Sequence, residues 1–434
     1  MFGCLRTVKS WFDGGRADRI LTVVDRANEE MAAGRYAAAV GELDAALRQY
    51  PGVPLLLSLR SQAHAFLGDF EAALADADRA CQSAPREAEF RARRAAVRLS
   101  SRDKQGAIED IEAAQAARPK DPRVLEVIGL ANHGCGRFPE AIAAFTAALE
   151  HTLDSPLLHV LRGNSYRRAG RLDAALQDFG RALELDAGLA EAHAYRARVH
   201  LALKDEPAAL RDLARALELD PQCHPALILR AGVSARARDY AGALKDYEAA
   251  VAVLPTSVDS HTGVGMMCLR LGDHARALSA FEQALHLSKS SMIANLGYAE
   301  VHAARGDWAS TLPYLETAFQ VADQRRTQAW CLYYCGLAAH MTGDPARATK
   351  DLARAVDLAA DYPDGTDRAY FNACVHALMA ALSPARAETL LVKAREFLQE
   401  ALKDQRNVVS ARHDSDAVLL RKDLVCAALI TAAP

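Results

Sequence analysis

The sequence predicts an all-α chain, a solenoid of about eleven helix–turn–helix repeats closed by a C-terminal capping helix. Three observations predict it. A helix–turn–helix pattern recurs every 34 residues over most of the 434-residue chain. One position of the second helix is alanine in all ten regular repeats, and the turn between the helices is glycine in seven. A period of this length marks one supersecondary unit stacked many times, each copy burying its apolar face on its neighbours.

The stretch from Ser165 to Asp186 shows the unit most plainly. It reads as the end of one helix, a tight turn at Gly170, and a second helix. On that second helix Ala175, Phe179 and Ala182 share a stripe at i, i+4, i+7. Repeats begin near Ile20, Pro54, Ala88, Pro122, Pro156, Ala190, His224, Val258 and Met292, and a tenth begins near Ala329 after three extra residues.

Counting from each start, position 27 is Ala46, Ala80, Ala114, Ala148, Ala182, Ala216, Ala250, Ala284, Ala318 and Ala355. Position 20 is alanine from Ala39 to Ala348, with Thr311 the exception. Position 8 is always small, as at Ala27, Gly129, Gly163, Gly265 and Gly336, so facing backbones can approach closely. Position 24 is mostly large and apolar (Phe145, Phe179, Tyr247, Phe281) and fills the space between neighbouring repeats. Position 15 is glycine at Gly34, Gly68, Gly136 and Gly272 among others, ending the first helix in the left-handed region. Proline closes five repeats, at Pro51, Pro85, Pro119, Pro221 and Pro255.

The spacing of Gly163, Tyr166, Gly170, Ala175, Phe179 and Ala182 resembles the tetratricopeptide repeat, and the resemblance covers about residues 20–360. The tryptophan that the family carries near the start of its first helix is missing from every repeat. The resemblance implies a right-handed superhelical solenoid whose first helices line a concave groove for protein or peptide partners.

Position 7 is normally apolar in that family, yet here it is arginine in six repeats, and position 23 carries an acid in the same six. The pairs are Arg26 with Glu42, Arg60 with Asp76, Arg94 with Asp110, Arg162 with Asp178, Arg196 with Asp212, and Arg230 with Asp246. Repeats four, eight and nine lack both partners, and repeat ten sets Cys335 opposite Asp351. Joint gain and loss predicts bidentate bridges between the two helices of one repeat, structural in role.

Around the regular repeats the chain has four further segments. Residues 1–19, with Leu5, Val8, Trp11 and Phe12, suit an amphipathic helix. Such a helix either lies on a membrane surface or, the reading preferred here, covers the first repeat. The insertion near Asp323–Arg326 is expected to lengthen the connection before repeat ten and to change the curvature there. Residues 361–366, DYPDGT, form a linker, 367–403 an eleventh degenerate helical pair, and 404–434 a C-terminal cap. The strings AYFNACVHALMAAL (369–382) and HDSDAVLLRKD (413–423) resemble the closing segments of bacterial repeat proteins associated with protein kinases. The chain has no kinase motif of its own.

Composition narrows the function. Fifty-two basic and 55 acidic residues give a net charge of −3, which supplies no general drive toward nucleic acid. Nine scattered cysteines suit a reducing compartment, and no apolar run is long enough to span a membrane, so a cytoplasmic location is expected. Cys4 comes too early to be a processed lipoprotein cysteine. Cys331 and Cys335 share a helical face but lack two further ligands, and His159, His193, His261, His64, His200 and His302 recur at positions 4 and 11 as packing residues. No catalytic residue, cofactor or metal is assigned, and the chain is read as a non-enzyme.

By the resemblance, positions 2, 5, 9, 12 and 13 of the first helices meet the ligand. They place Asn164, Arg167, Arg168, Arg198, Arg236, Arg270, Trp330 and Tyr333 in the groove. The expected partner is a protein or peptide with an acidic or C-terminal carboxylate segment. The family's chaperone-tail clamp is not supported, because Asn28 and Asn164 accompany Val24 and Val160 instead of lysine. Two other roles stay open: a regulatory or adaptor subunit of a signalling enzyme such as a Ser/Thr kinase, and an envelope or assembly accessory factor.

Overall fold

Two local devices set the helix boundaries. At the turn of repeat five, Gly170 has φ +76°, the Gly170 N–H donates to Arg167 O (3.0 Å), and the Arg171 N–H donates to Tyr166 O (2.9 Å). This paired closure satisfies carbonyls that the helix end leaves open. Aspartate then caps the next helix. Asp69, Asp103, Asp205, Asp239, Asp273 and Asp344 each accept an N–H from the first turn, at 2.9–3.1 Å. Repeats three, six and seven lack the turn glycine, yet Arg102, Lys204 and Arg238 hold the same backbone, at φ 67°, 63° and 64°. A side chain there costs about 1–2 kcal/mol. Lys204→Gly should therefore stabilise the chain by about 0.5–1 kcal/mol, after glycine's extra unfolded-state entropy is subtracted. Urea unfolding followed by circular dichroism reads this as a raised midpoint, and a lowered midpoint would contradict it.

The computed structural model describes residues 14–117, 119–152, 154–359, 365–404, 407, 426–427 and 430–431. Residues 1–13, most of the 361–366 linker, nearly all of the 404–434 cap and the 413–423 string lie outside the described residues. All regular structure among the described residues is helical. Repeats one to three are α1 (Gly14–Ala32) with α2 (Tyr36–Gln49), α3 (Pro54–Phe66) with α4 (Phe70–Ser83), and α5 (Ala88–Ser100) with α6 (Lys104–Ala116). Repeats four to six are α7 (Pro122–Gly134) with α8 (Phe138–His151), α9 (Pro156–Arg168) with α10 (Leu172–Leu185), and α11 (Ala190–Ala202) with α12 (Glu206–Leu219). These six pairs belong to one compact unit, which ends at Cys223.

A second compact unit begins at His224. It holds α13 (His224–Arg236) with α14 (Tyr240–Val253), α15 (Val258–Arg270) with α16 (His274–Leu287), and α17 (Met292–Ala304) with α18 (Leu312–Val321). Then come α19 (Arg325–Met341) with α20 (Pro345–Ala359) and, as the eleventh pair, α21 (Thr366–Leu382) with α22 (Ala387–Ala401). Within each unit the two helices of a repeat pack together, and the second packs on the first helix of the next repeat.

The alanine positions explain that packing. All ten position-27 alanines are at most 5% exposed, and the position-20 alanines are fully buried. The exception, Thr311, is also buried and donates its hydroxyl to Trp308 O at 2.7 Å. The lengthened connection expected near Asp323–Arg326 is absent. Arg325 and Arg326 open α19, which has 17 residues where α17 has 13, and only 322–324 separate it from α18. Continuing the helix satisfies backbone groups that a longer loop would leave to water.

Candidate functional site

In five repeats position 7 faces position 23 across the helix pair, and both limbs of the guanidinium fork meet the carboxylate. Arg60 donates to Asp76 at 2.6 and 2.7 Å, Arg94 to Asp110 at 2.8 and 2.5 Å, and Arg162 to Asp178 at 2.8 and 2.7 Å. Arg196 meets Asp212 at 2.8 and 2.7 Å, and Arg230 meets Asp246 at 2.7 Å twice. A third contact reaches back one repeat: Arg60 to Asp44 (2.5 Å), Arg94 to Asp78 (2.8 Å) and Arg162 to Thr146 Oγ1 (3.2 Å). These arginines therefore staple neighbouring repeats as well as the two helices of one.

The Arg26–Glu42 bridge does not form. Both side chains are exposed, so water solvates each charge and nothing favours holding two long side chains together. Where repeats lack the ion pair, apolar contact replaces it. Ile128 and Ala144 are buried, and the Tyr298 and Tyr314 rings lie 4.4 Å apart. In repeat ten Asp351 turns to Arg347 (3.5 Å), while burial and Asp351 push the Cys335 thiol up to about 12.

The position-4 histidines belong to the same clusters. His159 Nδ1 lies 3.1 Å from Asp178 Oδ1, and His193 Nδ1 lies 3.1 Å from Asp212 Oδ1. Burial raises the Asp212 carboxyl, but hydrogen bonds from Arg196 and His193 outweigh it and hold the group below the usual carboxylate range. His261, whose repeat has no acid at position 23, meets Pro255 O instead (2.9 Å). These His–Asp–Arg trios look like parts of a catalytic triad. The carboxylates are only 5–6% exposed, and each is held by side chains of the partner helix in its own repeat. No group of three potential metal ligands occurs among the described residues.

A different arrangement stands on α9 and α11. Asn164 Oδ1 accepts from Arg167 at 3.1 Å (Nε) and 2.7 Å (Nη2). The Arg168 guanidinium lies over the Phe138 ring at 5.0 Å. Arg198 Nε is buried without a hydrogen-bond partner. Among the described residues none of these three arginines forms an ion pair with a carboxylate. Glu191, exposed at the start of α11, acts on Tyr195 but bridges to none of them. Burial first, then the charges of Arg198 and Arg168, bring Arg167 down to about 10. The same two influences, burial and then Arg168 and Arg167, lower His133 on α7, whose Nδ1 is 2.9 Å from Ser165 Oγ. The sequence reading passed over His133, although it stands at position 12 of repeat four, one of the positions assigned to the groove.

The remaining groove candidates fall in the C-terminal unit. Arg236 is exposed, and Arg270 Nη1 is 3.8 Å from Glu300 Oε1. Tyr333 does not face a groove: it is fully buried. Trp330 is half-buried, edge-on to Tyr333 (5.6 Å) and Phe371 (4.9 Å). The reason is the eleventh pair, whose α21 packs Tyr370 and Phe371 against α19 and covers these rings. Tyr334 instead lines an apolar cavity of about 240 Å³ with Ile293, Leu296, Trp308 and Leu315. Ile293 and Leu296 occupy positions 2 and 5 of repeat nine, so the positional rule points to them as well.

Family models for the tetratricopeptide repeat match residues 24–88, 92–156, 235–291 and 268–324, and a second model of the same repeat matches 156–188. Together they span more than half of the chain. This chain belongs to the tetratricopeptide repeat family. Among solved structures it is similar to a monomeric IFIT1 mutant with Gppp-AAAA, at 14% identity and TM-score 0.50, covering 80% of this chain and 90% of that one. It is also similar to Pseudomonas aeruginosa pilF (20% identity, TM-score 0.44, 48% of this chain and 93% of that one). Yeast Tom70 matches at 14% identity and TM-score 0.39, over 96% of this chain and 99% of that one. At these identities the likeness is one of fold alone. No curated protein sequence matches the chain. No helix among the described residues is long and apolar enough to cross a membrane.

Proposed function

We propose that this tetratricopeptide repeat protein is a non-catalytic scaffold. It docks an acidic or C-terminal carboxylate segment of a partner protein on Asn164, Arg167, Arg168 and Arg198. One observation carries the reading. Elsewhere in the same unit, half-buried arginines such as Arg60 and Arg94 each hold two carboxylates, whereas these three guanidiniums share none. Gathering like charges at a partly desolvated surface is unfavourable until an anion arrives. The arrangement suits binding: the Ser165 hydroxyl beside His133 (2.9 Å) is buried and donates to Leu161 O (3.0 Å).

The test is an array of acidic and C-terminal-carboxylate peptides probed with the full chain. Arg168→Glu and Arg198→Glu should each weaken capture by about tenfold or more, since each replaces a charge-assisted bond with repulsion. Arg181→Glu, which alters an exposed arginine beside Glu184, should leave capture unchanged. Capture that ignores both groove substitutions removes the site.

A further inference from the structure

We propose that the arginine cluster of α9 and α11 takes a phosphorylated side chain of the partner protein, a dianion rather than a single carboxylate. The inference rests on the scaffold reading above and narrows its ligand.

Charge is the first argument. Arg167, Arg168 and Arg198 bring three cations together with no bridging carboxylate among the described residues. One carboxylate would neutralise a third of that charge. Each bridged position-7 guanidinium of this unit meets at least one full negative charge: Arg162 and Arg196 take one carboxylate, and Arg60 and Arg94 take two. A phosphomonoester carries about −1.5 to −2 at neutral pH and offers three strong acceptor oxygens. It can meet several guanidiniums at once, as a two-oxygen carboxylate cannot.

Donor supply is the second. Each guanidinium has five N–H groups. Asn164 occupies Nε and Nη2 of Arg167 and orients the rest. The Arg168 guanidinium lies over the Phe138 ring at 5.0 Å on an exposed side chain, and makes no hydrogen bond among the described residues. Arg198 has its Nε buried and unmatched. A buried donor without an acceptor is costly until a ligand supplies one. Two of the three arginines are thus held in place before binding, which reduces the ordering cost.

The third argument separates a modified protein from nucleic acid. A strand-binding surface needs a basic track that follows many phosphates, with aromatic rings for successive bases. Here the three unbridged arginines stand on two neighbouring first helices of a chain whose net charge is −3. The rings nearest the cluster are already covered by arginines of this chain: Phe138 by Arg168, and Tyr166 by Arg162 and Arg171.

The experiment measures retention of degenerate peptide libraries on the immobilised full chain. The libraries are identical except for a fixed central phosphoserine, glutamate or serine. A 5′-phosphorylated single-stranded oligonucleotide is run alongside. The phosphoserine library should be held about tenfold more tightly than the glutamate library, with the serine library weakest. Arg198→Ala and Arg167→Ala, checked by circular dichroism for intact helix, should erase the preference, and Arg181→Ala should keep it. Equal retention of phosphoserine and glutamate would overturn this inference and leave the acidic-segment scaffold standing. Retention of none of the libraries would overturn both. Preferential retention of the oligonucleotide, with the same dependence on Arg167 and Arg198, would replace the phosphoprotein with nucleic acid.

Discussion

Arg162→Ala is expected to destabilise the protein by about 3–5 kcal/mol, more than the double change Arg162→Ala with Asp178→Ala. Asp178 is 5% exposed and accepts both limbs of the Arg162 fork. Removing the arginine alone strands an almost fully buried carboxylate with only the His159 contact left. Removing both charges leaves nothing to desolvate. Because Arg162 also reaches Thr146 of the preceding repeat, the single change weakens a neighbour interface as well as a helix pair. Stacked repeats draw their stability from both. Urea unfolding of the two singles and the double completes the cycle, and losses that simply add would show that the contact contributes nothing. Arg26→Ala with Glu42→Ala supplies the control. The same two positions, exposed and apart, should show no coupling.

Phe281→Ala should cost a similar amount, about 3–5 kcal/mol, because it empties a closely packed site. The Phe281 ring is fully buried. It lies where a Cβ on Gly265 of its own repeat would come within 2.7 Å of Cε1, and where one on Gly297 of the next would come within 2.5 Å of the same atom. The two glycines are therefore the space the ring occupies. Gly297→Ala, which ordinarily favours a helix, should instead destabilise by about 1–3 kcal/mol through overpacking. Combining it with Phe281→Leu should recover part of that loss, since contacting residues couple. Hydrogen exchange of α15, α16 and α17 localises the effect. Unaltered protection there in Phe281→Ala would contradict the assigned packing.

Much of this architecture could be read in one dimension because the repeat is its own alignment. The position-27 alanines are each at most 5% exposed, as a close helix–helix contact requires. The turn glycines occupy the left-handed region for the same local reason in each repeat. The arginine–acid covariation was visible because six copies vary together. Its third member, the reach from Arg60 to Asp44 or from Arg94 to Asp78, was not. A contact between successive repeats depends on how the second helix of one is turned against the first helix of the next. Tyr333 was misplaced for a related reason. Its position number is a groove number, but the extra turn of α19 and the rings of α21 enclose it.

The sequence by itself determined what is periodic: an all-α chain of repeated helix pairs, with alanine and glycine where backbones meet. These follow from local sterics and from apolar spacing that every repeat shares. Only the tertiary structure decided which arginines outside those covarying pairs go without a carboxylate. Arg162 and Arg196 are closed by carboxylates, while Arg167, Arg168 and Arg198 are left together without one. That distinction depends on which side chains the neighbouring helices bring within reach, and electrostatic energy is set by that distance and by burial.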